Sequence, residues 1–533
     1  MFQQVYDPVG GSLLFSSLFA ALPLVTMFLL LGWLRVTPHI AALVSLVVCA
    51  LVAIFAYGMP VATTLNAGFY GAAFSVLTVL WIILNAIWLY NLTVKSGHFA
   101  VLKDSFAMLS KDTRIQAIFI AFNFGALMEA LAGAGTPIAI SGAMLLAIGV
   151  RPIKAAVLAL VANTAPVAFG ALAVPITTLA QVTGLPFETL GAIVGRQTPI
   201  IAAFVPLILV GLMDGRRGLV QVWPAALVAG IAFGISQWFS ATYVSVALAD
   251  VAGALGSAGA LILFLKFWTA PHVDDIDGMD VPVSSNIRHT SKAMWLAYSP
   301  YILIIVIFSL AQIPQVKQWL SAGTLMFPWP GLEIVSTSGK KVATNFTLNS
   351  LSATGSLLLL AGVISAWMLR VRASTAIATY GETVRQLRWA IPTVLCVLAI
   401  AFIMNYSGQT VTLGVWLAQA GPAFAFLSPV IGWIGVAVTG SDNSANALFG
   451  ALQVAAAHQT GLDPALLAAA NASGGVLGKM ISPQSLAVGA AAVGIIGQEG
   501  LIFRKVIGWS LGLLAAMSLL VFLQTGPLAW MLP

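Results

Sequence analysis

Between residues 13 and 34 not one side chain is charged, and stretches of the same kind recur down the whole chain. Further runs fall at about 40–57, 69–92, 189–213, 219–239, 243–268, 293–311, 347–369, 389–406 and 507–531. A helix needs about 20 consecutive apolar residues to cross a bilayer, and only helices or closed barrels satisfy their backbone polar groups there. Runs of this length select helices. Composition agrees, because charged residues make up 7% of the 533, whereas soluble domains average about 25%. With 23 basic and 16 acidic side chains, a soluble enzyme of this size could not cover its surface. The expected fold is an all-α polytopic membrane protein with about 12–14 transmembrane segments and no second domain.

The charges that remain are distributed as topology signals. Arg35 follows the first run, and Lys95, His98, Lys103, Lys111 and Arg114 follow the third. Arg370, Arg372, Arg385 and Arg388 form a second basic loop at 370–388. Short Lys/Arg-rich loops mark the cytoplasmic side, so both clusters are predicted inside and both termini outside. The polar segment HVDDIDGMD (272–280) holds four of the sixteen acids, and a Pro/Gly/Trp-rich connection without span character runs to about 345. No basic n-region or small-residue cleavage site accompanies the first run, so no cleavable signal peptide is expected. Cys49 and Cys396 sit inside apolar segments and read as small buried hydrophobes.

Two regions, 115–181 and 411–497, are apolar but broken by Gly, Pro, Ser and Asn. They match each other. Asn163, Gly170 and Pro175 recur with the same spacing as Asn471, Gly478 and Pro483, offset by 308, and Gly142 and Gly450 keep that offset. The span 69–92 runs inward and 389–406 outward, each delivering the chain to a broken region. Two inverted-topology repeats, each with broken or re-entrant helices, are therefore expected, an arrangement that places a substrate site at the breaks. The halves are 1–268 and 347–533, joined by a central polar connection, 269–346, that includes one span.

A helix that stops within the bilayer exposes N–H and C=O groups that only protein or a water-filled cavity can satisfy, and its N-terminus suits an anion. In EALAGAGTP (129–137), Gly133 and Gly135 allow close backbone approach, Thr136 is placed to cap a helix or offer a hydroxyl, and Pro137 suits its first turn. This reads as an anion cradle, with a tight small-residue helix contact as the rival. In the matching element TGSDNSANALFG (439–450), Ser441, Asp442, Asn443, Ser444 and Asn446 cluster between apolar flanks. Such groups are costly in a span unless satisfied, and an ordinary surface loop is the alternative reading. Asn163, Asn471, Ser473, Ser482 and Gln484 add uncharged donors and acceptors suited to a small hydroxy acid.

Glu129, isolated in an apolar run, is the first candidate for loading and releasing a proton, with a static helix-packing partner for Arg or Lys as the rival; Asp442 is second, as a proton site or as the salt partner of a cation. Arg196 and Lys479 are the cations placed to meet a substrate carboxylate, although Lys479 could instead snorkel to the interface. Histidine, cysteine and acidic residues show no metal-ligand spacing, and GAGTP lacks the ending of a phosphate loop. Neither a metal, a cofactor, a nucleic-acid partner nor an obligate protein partner is expected; the partners are a small-molecule substrate, a proton and lipid.

EALAGAGTPIAI (129–140), NTAPVAFGALAVPI (163–176), TGSDNSANALFGALQ (439–453) and NASGGVLGKMISPQS (471–485) together resemble the bacterial L-lactate permease family. The likeness spans nearly the whole chain, departing at the opening, where VYDP (5–8) stands. It implies a proton symporter of the cell membrane that imports lactate and often glycolate. A sodium-coupled carrier of another small organic anion is the alternative, and an ion channel or membrane enzyme is disfavoured by the lack of a continuous polar lining or a nucleophile–base set.

Overall fold

A computed structural model describes residues 2–34, 36–76, 80–107, 109–110, 112–131, 133, 135–271, 289–311, 313–337, 339, 341–342, 344–495 and 498–533. Arg35, Lys111 and the acidic segment 272–280 lie outside the described residues. Among those described, nine helical stretches are long and apolar enough to cross a membrane, or ten if a pair bent by 63° counts as one span. Phe187–Val244 is one of the nine, yet it folds back on itself at Asp214 and Gly215, whose φ/ψ are non-helical. Large apolar side chains including Trp33, Phe55, Phe69, Trp295 and Trp367 are exposed along the outer helices. Bare faces of this kind belong against lipid. This is a multi-pass membrane protein.

The chain begins with a short strand β1 (Phe2–Gln3) and the helices α1 (Leu13–Phe28), α2 (Pro38–Leu51), α3 (Val61–Ser75), α4 (Trp81–Lys95) and α5 (His98–Ala107). The first broken region follows as α6 (Thr113–Ala117), α7 (Gly125–Leu131), α8 (Thr136–Ala147), α9 (Pro152–Ala162) and α10 (Gly170–Thr183). The paired arms of α11 (Phe187–Phe239) and then α12 (Ala249–Phe264) form a scaffold beside it. After α13 (Ser291–Ala311), the polar connection forms a short helix α14 (Pro314–Ser321) and the strands β2 (Thr324–Pro328), β3 (Ile334–Val335) and β4 (Asn345–Asn349). β2 and β4 pair antiparallel, and β1 joins β3 in parallel. The run expected from 347 therefore turns helical only at α15 (Thr354–Met368).

The basic loop 370–388 is mostly the amphipathic helix α16 (Ala373–Gln386), which packs on α4. Then come α17 (Ala390–Ser407), α18 (Gln409–Leu417) and the second broken region: α19 (Phe424–Thr439), α20 (Asp442–Thr460), α21 (Pro464–Gly478) and α22 (Pro483–Ala492). The last helix, α23 (Glu499–Gln524), starts eight residues before the run expected at 507 and ends before 531.

Ion pairs gather the basic segments at one end of the molecule. Buried Arg114 bonds Asp112 (2.7 Å), Asp214 (3.0 Å) and the Pro271 carbonyl (3.1 Å). Lys154 donates to the Met213 carbonyl at 2.9 Å, and Lys95 meets Glu382 at 2.5 Å. At the opposite end Gln4 donates to the carbonyls of Asn405 and Tyr406, and β1 pairs with β3.

Several helix boundaries keep the offset of 308. α7 stops at Leu131 and α19 at Thr439, while proline opens a helical stretch at both 175 and 483. α7 reaches its break from the basic end, and α19 from the end that holds the N-terminus. The breaks also interlock, with α10 packed on α20 and α8 on α22.

Candidate functional site

The interlocked breaks enclose a cavity of about 330 Å³. Glu129, Lys479, Pro175, Gln484 and residues 439–444 line its inner part, and His39 and Trp389 stand where it reaches α2 and α17. Those two rings stack with centroids 4.5 Å apart, joining helices 350 positions apart in the chain.

Lys479 Nζ lies 2.6 Å from Glu129 Oε1, and Asn163 Nδ2 donates to Glu129 Oε2 at 2.9 Å. Both members of the ion pair are buried, at 6% and 3% exposure. Lys479 therefore does not snorkel. Buried charges persist only when paired and hydrogen-bonded, and here each half of the protein supplies one sign. The approach depends on Gly170, because a Cβ there would stand 2.7 Å from Glu129 Oε1.

The second feature is the start of α20. Gly440 takes φ 75°, Ser441 is the N-cap, and its hydroxyl accepts from the Ser444 N–H at 3.4 Å. Unpaired N–H groups at such an end carry partial positive charge. Asn446 Nδ2 bridges Asp442 Oδ2 and the Pro175 carbonyl, both at 3.2 Å. Thr178 donates its hydroxyl hydrogen to Asn443 Oδ1, fastening α10 to α20. Behind them Asn471 donates to Asn446 (2.9 Å) and accepts from Gln453 (3.1 Å). Asp442 Oδ1 is buried with no hydrogen-bond partner among the described residues and faces Gly475, where a Cβ would stand 2.2 Å away.

The first-half break has an unusual backbone. Ala171, Leu172 and Ala173 all take left-handed conformations, at φ 45°, 58° and 62°. Left-handed backbone costs an L-residue about 1–2 kcal/mol, and strain of this order concentrates at functional sites. These residues release the helix so that a fresh stretch begins near Pro175 against the cavity.

The candidates from sequence separate into three groups. Glu129, Gly133, Ser441, Asp442, Asn443, Ser444, Lys479 and Gln484 converge on the cavity. Asn163 and Asn446 each hydrogen-bond a lining residue, Glu129 and Asp442, and Asn471 stands behind Asn446. The remainder lie elsewhere. Gly135, not Thr136, caps α8, because Gly135 alone tolerates φ 86°; the Thr136 N–H bonds the Gly133 carbonyl instead. Gly135 faces Val488 of α22, so the small-residue contact describes α8 better than an anion cradle does. Ser473 donates to Gln197 and Ser482 caps α22. Arg196 donates to the Ala192 carbonyl of its own helix and lines a separate groove with Trp238 and Trp530.

Three groups escaped the sequence reading. His39 and Trp389 carry no local signal, since only tertiary packing unites them. Asp250 carried the signal that singled out Glu129, an acid alone in an apolar run. It is fully buried, accepts from Gln237 Nε2 at 2.8 Å, and its Oδ2 has no hydrogen-bond partner among the described residues. Among the described residues, no group of three or more His, Cys, Asp or Glu could hold a metal.

Comparison with known proteins adds independent findings. The family model described as L-lactate permease matches residues 16–526. An L-lactate permease of Bacillus subtilis (strain 168) is 39% identical over 99% of both chains. The glycolate permease GlcA of Escherichia coli (strain K12) is also 39% identical, over 98% of this chain and 97% of its own. Among solved structures, the Alcanivorax borkumensis YdaH transporter aligns with a TM-score of 0.47 at 16% identity, covering 85% of this chain and 86% of that one.

Proposed function

This chain belongs to the L-lactate permease family, and on that footing we propose that it imports L-lactate, with D-lactate and glycolate as further cargo, in symport with a proton across the cytoplasmic membrane. The names of its relatives supply the substrate class. The observation that carries the coupling is the Glu129–Lys479 pair on the cavity wall.

Lys479 can neutralise one carboxylate at a time. In the empty site that carboxylate is Glu129. When a substrate carboxylate takes the ammonium group, Glu129 is left as an uncompensated buried charge, which costs several kcal/mol. A proton on Glu129 removes that cost. Substrate and proton thus enter together or not at all, and one proton per monovalent anion makes the cycle electroneutral, so the membrane potential does not oppose uptake. Ser441, Asn443 and Ser444, at the positive end of α20, are placed to receive the 2-hydroxyl and the second carboxylate oxygen. Asp442, beside them, is the second acid through which coupling can run.

Residues 1–268 and 347–533 act in this reading as inverted halves that rock about the site, joined by 269–346. By the Lys/Arg bias the basic end is cytoplasmic and both termini are outside. The cavity, reaching His39 and Trp389, then opens inward.

Uptake of labelled L-lactate into proteoliposomes tests this reading, with D-lactate, glycolate and pyruvate as competitors. Accumulation should follow an imposed pH gradient, inside alkaline, without sodium. Accumulation driven by a sodium gradient at fixed pH would replace the proton with sodium.

A further inference from the structure

A groove of about 640 Å³, separate from the transport cavity, lies at the basic end between α9, the first arm of α11 and the start of α23. Its floor is apolar, formed by Ile153, Val157 and Leu212. Its rim carries Arg151, Lys154 and Lys505. Glu499, which follows Gln498 at the edge, still leaves the rim net positive. α23 is one wall, and exposed Leu501, Lys505 and Trp509 follow one another at intervals of four along one face of it.

From this arrangement we infer that the groove is a binding site for an anionic phospholipid, whose phosphate is held by Arg151, Lys154 and Lys505 and whose acyl chains lie on α23. Basic pockets between helices at the headgroup level select anionic lipids. Arginine adds bidentate geometry suited to a phosphate. A free phosphate would use the rim but leave the apolar floor and the α23 flank uncovered. A lipid satisfies both.

The site also has a mechanical meaning. Arg151 and Lys154 open α9, a helix of the broken region, whereas Leu212 and Lys505 belong to long helices beside it. Lys154 already ties α9 to the carbonyl of Met213 at the α11 fold-back. A lipid here joins the broken region to its scaffold, independently of whether the cargo is lactate.

The test is native mass spectrometry of the full chain released from nanodiscs of phosphatidylglycerol or phosphatidylcholine. Phosphatidylglycerol should be retained preferentially. Each interfacial charge near an anionic headgroup contributes about five-fold in affinity. Arg151→Gln/Lys505→Gln should therefore weaken retention about 25-fold. Arg372→Gln/Arg385→Gln, which removes two exposed charges from α16 and its N-cap at the same end, should not. Lys505→Gln alone removes an exposed side chain and should cost about five-fold even if the double variant folds poorly. Equal retention of phosphatidylcholine, displacement of the lipid by millimolar inorganic phosphate, or equal loss in the α16 variant would overturn the assignment.

Discussion

Lys479 and Glu129 meet at 2.6 Å inside the membrane although 350 residues separate them in the chain. Each sits at a broken helix of a different half, so the pair joins the two halves at the cavity. Removing one partner of a buried pair costs about 3–5 kcal/mol, because the other charge is left unpaired. Lys479→Met should accordingly lower thermal stability in detergent and abolish both counterflow and net uptake. Adding Glu129→Gln to Lys479→Met should restore stability without restoring transport. Recovery of transport in the double variant would remove Lys479 from substrate binding.

Glu129→Gln on its own separates coupling from binding. The amide preserves the acceptor for Lys479 and leaves the ammonium group free for substrate. Counterflow of lactate should persist, while accumulation driven by a pH gradient should fall at least ten-fold, equivalent to about 1.4 kcal/mol of lost coupling. Equal loss of both activities would demote Glu129 to a structural role.

Asp442 is held differently. One oxygen accepts from Asn446, and among the described residues the other has no hydrogen-bond partner and no lysine or arginine hydrogen-bonds to either. Asp442→Asn should raise the KM for lactate about ten-fold, as expected when a charge-assisted hydrogen bond worth about 1.5–3 kcal/mol is weakened. Wild-type uptake would place Asp442 outside the site. Gly475→Ala, whose new methyl group would press on Asp442 Oδ1, should show the same direction of change.

How much of this was legible in the sequence follows from the range of the interactions involved. Apolar runs report local solvent preference, so the spans and the prolines at 175 and 483 could be read directly. The polar cluster 441–444 was legible because its residues are adjacent. Thr136 was misplaced because capping depends on which backbone tolerates a positive φ, and Gly135 rather than Thr136 does. Arg196 was misplaced because its charge gave no clue to which side of α11 it occupies. The basic loop at 370–388 concealed α16, since an amphipathic helix lying along the surface lacks a span's composition. The β2–β4 pairing was hidden in the same way, by residues that meet across a turn of about 16 positions.

The left-handed turn at Ala171–Ala173 gives a last test, one that bears on how the first half moves. Ala171 lines the cavity and makes few demands on packing, so Ala171→Gly changes mainly the backbone cost. Releasing an αL residue from about 1–2 kcal/mol of strain, against an entropic loss of about 0.5–1 kcal/mol for glycine, should stabilise this conformation by up to about 1.5 kcal/mol. Thermal unfolding should therefore rise slightly. If the halves must change shape at this turn during transport, exchange should slow several-fold at the same time. A gain in stability with unchanged exchange would mean that the turn stays fixed through the cycle and only shapes the cavity wall.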